Sequence, residues 1–196
     1  LSNAFLDMSK SIYEYQQSVE QRTKELNIKN EELFKLSITD KLTGLYNRVK
    51  LDSVLQENMS LSLRYGNIFS VIIIDIDFFK KINDNFGHQV GDDVLKECSY
   101  ILSQNIRNVD TLGRWGGEEF LVVCPETLKD GAKDLAIKLN KAIKLHKFST
   151  YPHSVTISVG VASCSVNDLN YDDIISNADK ALYEAKNNGR DRVEIF

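Results

Sequence analysis

The sequence predicts an α+β domain whose sheet has an antiparallel centre, preceded by a long N-terminal helix. A continuous β-branched run at Phe69–Ile74 is typical of a buried strand. Two short apolar segments, Thr111–Trp115 and Glu118–Cys124, are separated only by Gly116 and Gly117. Paired glycines favour a tight hairpin, because such turns need positive φ at their central positions. If the Phe69–Ile74 strand pairs antiparallel beside this hairpin, its carboxyl end lies near the turn.

The other elements alternate helices with strands around this centre. We expect helices from Asn47 to about Leu63, from Phe78 to Gly87, from Gly91 to Ile106, over Lys129–Leu145 and over Asp172–Asn187, and strands over Ser154–Cys164 and Arg192–Phe196. Asn47 is placed to cap the first of these helices, and Asn188-Gly189 to end the last. After the helix that Asn47 caps, the predicted order is therefore β-α-α-β-β-α-β-α-β.

Residues 5–36 are polar, contain no Gly or Pro, and predict a helix with a coiled-coil seam. One seam position is apolar throughout, at Phe5, Ile12, Val19, Leu26 and Leu33. The companion position is basic in the middle, at Met8, Tyr15, Arg22, Lys29 and Leu36. The seam is therefore weak, and the alternative is a lone amphipathic helix packed on its own domain. We place the boundary between a helix of residues 1–36 and a globular domain of residues 37–196.

Composition excludes several classes of protein. The net charge of −4 argues against a nucleic-acid polymer as partner, since such binding needs a basic face. The three cysteines, Cys98, Cys124 and Cys164, lack metal-ligand spacing, and no apolar run approaches a membrane span. We expect a cytoplasmic location. Residues 1–4 resemble a cloning remnant, so we also expect an upstream sensor, which could include a membrane anchor, to be missing from this fragment.

Two acidic clusters predict a metal site. The Phe69–Ile74 strand ends in Asp75-Ile76-Asp77, and Glu118 and Glu119 follow the glycine pair. Side chains alternate along a strand, so Glu118 and Glu119 are expected on opposite faces. Asp75 and Glu118 would converge, and like charges at that distance need a cation between them or a proton. Carboxylates with waters and phosphates suit Mg²⁺. The alternative is a surface hairpin whose acidic start is solvated.

Two further segments carry polar signals. The helix start at Phe78 favours an anion such as phosphate through its free N–H groups, and Lys80 adds positive charge there. Asp40 and Arg48 flank a Thr-Gly turn in the segment Asp40-Lys-Leu-Thr-Gly-Leu-Tyr-Asn-Arg48. We interpret that pair as structural: a cap and an ion pair that tie the linker to the domain.

These motifs together resemble the GGDEF family of diguanylate cyclases. The resemblance covers about residues 40–196, and its motifs are Asp40–Arg48, Asp75–Asp84, Gly87–Asp92, Gly116–Phe120 and Lys186 to Arg190. The third letter of the signature is Glu rather than Asp, and either can bind a metal. The resemblance implies a palm-like sheet and the condensation of two GTP into cyclic di-GMP and two pyrophosphates.

The resemblance also implies roles for individual residues. Asp75, the carbonyl of Ile76 and Glu118 would hold two Mg²⁺, with Mn²⁺ as a substitute. The β- and γ-phosphates would be held by the backbone near Phe78 and Phe79, by Lys80, and by Lys186 and Arg190. Asn83 and Asp92 would read guanine, with His88 close by. Glu118 or Glu119 would help to deprotonate the attacking 3′-hydroxyl. A carboxylate at position 92 suits the N1–H and N2–H₂ donors of guanine and disfavours adenine, which has an acceptor at N1.

A product site and a dimer complete the expectations. Arg107 and Asp110 resemble the family's Arg-x-x-Asp inhibitory site for cyclic di-GMP, with Lys138 as a secondary contact; the alternative is an i,i+3 ion pair. A two-fold symmetric product made from one nucleotide site per domain implies a homodimer. The rival interpretations are a catalytically inactive receptor for GTP or cyclic di-GMP, a coiled-coil interaction module, and a cyclase with an adenine-containing product.

Overall fold

The structure is a computed structural model that describes residues 2–165, 168 and 170–196; the side chains of residues 2–7, 9, 11, 12, 14, 31 and 32 are not described. It divides into one unit that ends at Ser37 and a second unit, Ile38–Phe196. No helix in this described part of the chain combines the length and the apolar character needed to cross a bilayer. The expected cytoplasmic location stays a prediction.

The N-terminal unit is a helix, α1, Ser2–Ile38. The seam residues Phe5 and Ile12 fall among the side chains that are not described. The later seam residues Val19, Leu26 and Leu33 are 46%, 60% and 63% exposed. The apolar seam of α1 is therefore accessible to solvent from Val19 onwards in the single chain.

The second unit confirms the predicted α+β class and the order of elements. Its helices are α2 Arg48–Tyr65, α3 Phe79–Phe86, α4 His88–Asn105, α5 Lys129–Leu145 and α6 Tyr171–Asn187, and its strands are β1 Phe69–Ile76, β2 Thr111–Gly116, β3 Glu119–Pro125, β4 Ile157–Ser163 and β5 Val193–Ile195. The strand order is β2-β3-β1-β4-β5. β1 is antiparallel to both of its neighbours, as predicted, and only the edge strand β5 runs parallel to its partner, β4.

The central strand β1 is buried along its whole length. Side chains alternate between the faces of a strand. Ile72 and Ile74 therefore pack into the core beneath α3, α4 and α5, while Val71 and Ile73 pack into the core beneath α2 and α6. This double burial explains the unbroken β-branched run, and it makes the carboxyl end of β1 a rigid support for whatever follows it.

Gly160 sets the distance between α6 and the sheet. A Cβ atom at this position of β4 would overlap the carbonyl of Ala178 and the backbone nitrogen of Leu182. Because these are backbone atoms of α6, no side-chain movement could relieve the overlap. The bare glycine therefore lets α6 lie close against the sheet, and this brings the end of α6 to the carboxyl end of β1.

Several predicted boundaries are wrong, and three of them lie close to the residues that the sequence assigned to a site. The hairpin turn consists of Gly117 and Glu118, because a bulge after Arg114 pairs Gly116 with Glu119 and moves Glu118 out of the strand. Helix α4 begins at His88 rather than Gly91, directly after Gly87, whose φ of 85° separates it from α3. Strand β4 begins at Ile157 rather than Ser154, and the carbonyl and hydroxyl of Thr156 instead bond to Asp77.

Candidate active site

Three carboxylates meet where β1 ends beside the hairpin. Asp75 lies directly opposite Glu119 in the β1–β3 register, so the two side chains share a face of the sheet. The N–H of Ile76 donates to the carbonyl of Glu118 at 3.4 Å. The expected approach of Asp75 to Glu118 is present, and Glu119 joins them, which the alternation argument did not predict.

The convergence of these groups changes their ionisation. Burial raises the pKa of Asp75, and although the Lys186 ammonium opposes the shift, the charges of Glu118 and Asp77 add to it. Burial likewise raises the pKa of Glu119, with the charge of Asp75 as the next cause. The site therefore holds more negative charge than its neighbourhood stabilises, which is the condition that favours a bound cation.

Lys186 supplies part of the missing positive charge. Its Nζ lies 2.7 Å from Oδ2 of Asp75, and the two side chains are 31% and 10% exposed. Lys186 stands in the last turn of α6, which the Gly160 contact holds against the sheet. The structure thus places Lys186 against the carboxylates, whereas the resemblance assigned it to the phosphates. An ammonium has three donors, so this contact with Asp75 does not exclude a phosphate, and the phosphate role of Lys186 stays a prediction.

The donor set fits a hard divalent cation. Among the described residues, no group of three or more His, Cys, Asp and Glu side chains is arranged to hold a metal ion by itself. Mg²⁺ rarely needs such a cage, since it is usually held by one or two carboxylates, waters and the phosphates of a substrate. Asp75 and Glu118 are carboxylates of the right kind, and Ile76 offers a backbone carbonyl beside them.

The segment after β1 and the turn after α6 come together. Phe78 has a left-handed backbone, with φ of 57°, and precedes the first turn of α3, where Lys80 is exposed. The guanidinium of Arg190 lies 4.7 Å from the centre of the Phe78 ring. Arg190 also donates to the carbonyl of Lys186 at 3.4 Å. Two of the cations predicted to bind phosphate, Lys186 and Arg190, are thus adjacent, and Arg190 reaches the start of α3.

A cavity of about 500 Å³ lies between α3, the first half of α4 and the hairpin turn. It is lined by Phe79, Lys80, Asn83, Asp84, His88, Asp92, Leu95, Arg114, Gly117 and Glu118. Asn83 fits there because Gly91 has no side chain; a Cβ at Gly91 would overlap the Asn83 side-chain oxygen. The cavity brings together Asn83, His88 and Asp92, which the sequence placed in one site. It also includes Asp84 and Arg114, which sequence reasoning missed.

Asp40 and Arg114 brace the hairpin turn. Arg114 donates to the carbonyl of Gly117 through Nε at 2.9 Å and Nη2 at 2.7 Å, and to both oxygens of Asp40 at 3.3 Å. Asp40 also accepts the N–H and the hydroxyl of Thr43. Burial raises the pKa of Asp40, but the hydrogen bonds from Thr43 and the Arg114 charge outweigh it, so that the pKa lies below its ordinary value.

The structural interpretation of Asp40 is therefore confirmed, with Arg114 rather than Arg48 as its partner. The guanidinium of Arg48 instead lies 4.3 Å from the centre of the Trp115 ring, and it approaches Asp52 at 4.0 Å. No sequence signal singled out Arg114, because its importance depends on the long-range contact with Asp40. Asp40 and Arg114 together support the hairpin turn that contains Glu118.

Arg107, Asp110 and Lys138 lie apart from the carboxylates, around the loop between α4 and β2. Asp110 is 8% exposed; its Oδ2 accepts the backbone N–H of Arg107 at 2.9 Å, and its Oδ1 is buried without a hydrogen-bond partner. Lys138 donates to the carbonyl of Asn105 at 2.8 Å. The Arg107 side chain is exposed and forms no ion pair with Asp110 within the described residues, so the simple i,i+3 ion pair is absent.

Asp77 is a further residue whose position the sequence did not interpret. Its carboxylate is buried, 5% exposed, and accepts hydrogen bonds from Thr156, Ser158 and Asp191. A second carboxylate two residues after Asp75 was visible in the sequence as the Asp-Ile-Asp repeat. Its partners were not, because they lie about 80 and 114 residues further along the chain.

The fold is an α+β domain with a five-stranded sheet flanked by helices, and its candidate site combines carboxylates, two adjacent cations and a polar cavity. The family model for the GGDEF domain of diguanylate cyclases matches residues 37–192, and the chain belongs to this family. It is 38% identical over 180 residues to diguanylate cyclase DgcP of Pseudomonas aeruginosa, covering 91% of this chain and 27% of that protein.

Solved structures agree with the family. One is the coiled coil and GGDEF domain of DgcB from Caulobacter crescentus in complex with c-di-GMP, with a TM-score of 0.89 and 25% identity over 95% of this chain and all of that one. Another is the active GGEEF domain of a diguanylate cyclase from Vibrio cholerae, with a TM-score of 0.73 and 37% identity over 76% of this chain and 96% of that one.

We predict that Asp40→Asn lowers the free energy of unfolding at neutral pH by roughly 2 kcal/mol, the range for a hydrogen-bonded charged group. A lowered pKa means that the carboxylate stabilises the fold above its ordinary pKa, and that this contribution is lost as pH falls through the lowered value. The difference from wild type should therefore shrink on acidification, as measured by urea unfolding at several pH values.

Asp52→Asn is the matched control, because the Arg48–Asp52 pair is long and exposed and should contribute little. If Asp40→Asn lowers the free energy of unfolding by the same amount at every pH, the charge of Asp40 does not stabilise the turn.

Proposed function

We propose that this domain is a diguanylate cyclase that condenses two GTP into cyclic di-GMP and two pyrophosphates. The observation that carries the proposal is the position of Asp75 and Glu118 between two features. On one side lies the cavity that contains Asn83 and Asp92. On the other side lie the paired cations Lys186 and Arg190. A nucleotide can therefore span the carboxylates with its base on one side and its phosphates on the other.

The cavity suits guanine. Asp92 offers only acceptors when ionised, and guanine presents donors at N1 and N2, whereas adenine presents an acceptor at N1. Asn83 offers an amide that can both donate and accept. His88 and the Phe79 ring complete the walls, so an adenine nucleotide would leave Asp92 unpaired in the same space.

The phosphates are assigned to the start of α3 and to the end of α6. The free N–H groups of the first turn of α3, around Phe79 and Lys80, favour an anion. Phe78 contributes its backbone at the entry to that turn. Lys80, Lys186 and Arg190 supply the side-chain charge, and phosphoryl chemistry depends mainly on such positioning and charge neutralisation.

We assign two Mg²⁺, replaceable by Mn²⁺, to Asp75, Glu118 and the carbonyl of Ile76. When bound, such ions lower the pKa of an attacking hydroxyl and stabilise the charge on the attacking and leaving oxygens. Lys186 would then release Asp75 and turn to the phosphates. Glu118 or Glu119 would accept the proton of the 3′-hydroxyl: Glu118 lines the cavity, while Glu119 faces Asp75 and has a raised pKa.

A catalytically inactive receptor for GTP or cyclic di-GMP is the second candidate. The Asp75–Lys186 ion pair is the observation that favours it, because it occupies both a metal ligand and a phosphate ligand. The complete set of metal, guanine and phosphate residues favours the enzyme. So does the related structure from Vibrio cholerae, which has the same GGEEF signature and is described as active.

Arg107, Asp110 and Lys138 are proposed as an inhibitory site for the product. The Arg107 guanidinium is exposed and can bind a phosphate or a guanine edge with two hydrogen bonds. The buried Oδ1 of Asp110 lacks a partner, so a donor from a ligand would satisfy it. Lys138 lies beside this loop through its bond to Asn105.

The active species is proposed to be a homodimer. Each domain has one nucleotide site, and a product with two identical linkages requires two sites facing each other about a two-fold axis. The exposed seam of α1 is the natural tether, since it raises the effective concentration of one domain near the other. A nucleic-acid polymer is not a proposed partner, and an upstream sensor is proposed to set the pairing of α1.

We predict that the protein, incubated with GTP and Mg²⁺, forms cyclic di-GMP, and that Asp75→Asn and Glu118→Gln each reduce turnover by at least ~10³-fold, since metals contribute several kcal/mol to the transition state. Thermal unfolding with and without Mg²⁺ supplies a separate measurement: the wild type should gain stability with the ion and Asp75→Asn should gain less. Near-normal turnover in either variant contradicts the metal assignment, and a wild type that binds GTP without turnover identifies a receptor.

We predict that Asp92→Ala narrows the preference for GTP over ATP by up to ~10²-fold, because it removes the group that pairs with the guanine donors. The measurement is the ratio of kcat/KM for the two nucleotides. Asp93→Ala is the control, since Asp93 is adjacent but pairs with Lys96 outside the cavity. An unchanged GTP/ATP ratio in Asp92→Ala would place base recognition elsewhere.

We predict that Arg107→Ala weakens the binding of cyclic di-GMP by ~10-fold or more, as expected for a lost bidentate contact, and relieves product inhibition without lowering the initial rate. Calorimetric titration of the product measures this directly. Lys133→Ala removes an exposed cation from α5 outside this loop and serves as the control. Undiminished affinity in a double Arg107→Ala, Asp110→Ala variant would mean that the product binds at another site.

We predict that specific activity rises with protein concentration, because two half-sites must meet. Replacing Arg22 and Lys29 with Leu should strengthen the pairing of α1 and raise activity at low concentration. Lys24→Leu is the matched control, a cation changed to leucine off the seam. Sedimentation and rate measurements across a dilution series test the prediction. A monomer with concentration-independent activity would refute the half-site mechanism, whereas a tighter but inactive Leu variant would refute only the role of α1.

A further inference from the structure

We infer that Asp77 is a positioning residue for triphosphate binding. Its buried carboxylate ties the turn after α6, which carries Arg190, to the segment Phe78–Lys80 that follows β1. This inference rests on the proposed function, because it takes Arg190 and Lys186 as phosphate ligands. It adds a residue that would never touch the nucleotide and yet would determine how the nucleotide's phosphates are held.

The hydrogen bonds of Asp77 join two distant parts of the chain. Oδ1 accepts the hydroxyl of Ser158 at 2.7 Å. Oδ2 accepts the hydroxyl of Thr156 at 2.7 Å and the backbone N–H of Asp191 at 3.1 Å. The backbone N–H of Asp77 donates to the carbonyl of Thr156 at 2.9 Å. The carboxylate therefore binds the start of β4 and the turn after α6 at the same time.

That turn has a backbone conformation that needs outside support. Gly189, Arg190 and Asp191 have φ angles of 108°, 64° and 47°, so three successive residues lie at positive φ. Two of them are not glycine, and a residue with a side chain is strained at positive φ. These conformations persist only where the surroundings fix them. Asp191 is fixed by its backbone bond to Asp77 and by side-chain bonds to Lys144 and Asn140.

The turn formed by residues 189–191 determines where the guanidinium of Arg190 lies relative to Lys186 and Phe78. The N–H of Arg190 bonds to the carbonyl of Ala185, and its guanidinium reaches the carbonyl of Lys186 and the face of the Phe78 ring. Phe78 is the residue after Asp77 and itself has positive φ. Asp77 thus stands between the two phosphate-binding segments and holds one against the other.

The groups around Asp77 are best matched by a side chain that only accepts hydrogen bonds. Three donors point at Asp77, and an ionised carboxylate has two oxygens that accept all of them. Asp77→Ala would leave the Asp191 N–H without its partner and leave two buried hydroxyls to find new ones. Asp77→Asn keeps one acceptor oxygen, and the Ser158 hydroxyl can reverse to accept from the new amide. The alanine variant should therefore loosen the turn more than the asparagine variant.

The test separates phosphate binding from guanine binding. The probes are 3′-deoxy-GTP and 3′-deoxy-GMP, which lack the attacking hydroxyl and so bind without turnover, titrated calorimetrically into the protein with Mg²⁺. Asp77→Ala is expected to weaken 3′-deoxy-GTP about 10-fold, equivalent to about 1.4 kcal/mol, and to leave 3′-deoxy-GMP within about twofold. Asp77→Asn should weaken the binding of 3′-deoxy-GTP about threefold. The amide exchange rates of residues 189–192 should increase from the wild type to Asp77→Asn and again to Asp77→Ala.

Ser70→Ala is the matched control. Ser70 lies in β1, the strand that Asp77 follows, and is buried; it bonds to the carbonyl of Thr127 at 2.6 Å and to Ser163 at 2.7 Å, at the end of β1 far from Asp77. Ser70→Ala should lower the stability of the domain without changing the ratio of the affinities for 3′-deoxy-GTP and 3′-deoxy-GMP. If Asp77→Ala does not fold, the asparagine variant with its ratio and its exchange rates decides the question.

A double-mutant cycle with Arg190→Ala decides between positioning and general damage. If Asp77 acts through the turn, Asp77→Ala should cost little further triphosphate affinity once Arg190 is alanine. Three results would overturn the inference and leave the proposed function standing. They are an equal loss of affinity for both probes in Asp77→Ala, an unchanged ratio of the two affinities in that variant, and full additivity of Asp77→Ala with Arg190→Ala. An unchanged ratio in both Arg190→Ala and Lys186→Ala would overturn the phosphate assignment itself, and the inference with it.

Discussion

The negative charge at the end of β1 is the constraint on which the rest of the site depends. The buried strand β1 places Asp75 beside Glu118 and Glu119. Burial and mutual repulsion raise the pKa values of Asp75 and Glu119, so this arrangement stores unfavourable electrostatic energy unless a cation is present. Lys186 provides one positive charge, and the negative charge that remains is the reason for proposing that metal ions bind here.

A site of this kind works only if its members cannot move apart, and the fold supplies separate restraints for each. The hairpin turn that presents Glu118 is held by Arg114 and Asp40. The end of α6 is held by the close contact at Gly160. The turn beyond α6 is held by the carboxylate of Asp77. The Asp40–Arg114, Gly160–α6 and Asp77–Asp191 contacts are buried or half-buried and join segments far apart in sequence, so the packing of the domain supports the geometry of the site.

Under the proposed function, each domain would supply one half of a symmetric reaction. The cavity that contains Asn83 and Asp92 would take the base, and Lys186 and Arg190 would take the phosphates. A second domain would then supply the other nucleotide, and the exposed seam of α1 would bring the two chains together. Because Arg22 and Lys29 interrupt that seam, its pairing would be weak enough for an upstream signal to control.

The sequence by itself determined the class of fold and the order of the elements, and it named most of the residues that the structure brings together in the candidate site. It could do so because β-branched runs, helix caps and glycine turns are local signals, and because the motifs of the family stand at recognisable places. It also predicted that β1 would lie antiparallel beside the hairpin, which the register confirms, and that Asp75 would approach Glu118. It did not predict that Glu119 would face Asp75.

Only the tertiary structure decided which contacts support those residues. The bulge before Gly116 moved Glu118 into the turn, and a one-residue shift of this kind depends on how two strands pair, not on either strand alone. Arg114 forms an ion pair with Asp40, which is 74 residues away in sequence, and Asp77 bonds to Asp191, which is 114 residues away. Lys186 met Asp75 because Gly160 admits α6 to the sheet. Such partnerships have no local sequence signal, since they exist only when the packed core brings distant segments to the same point.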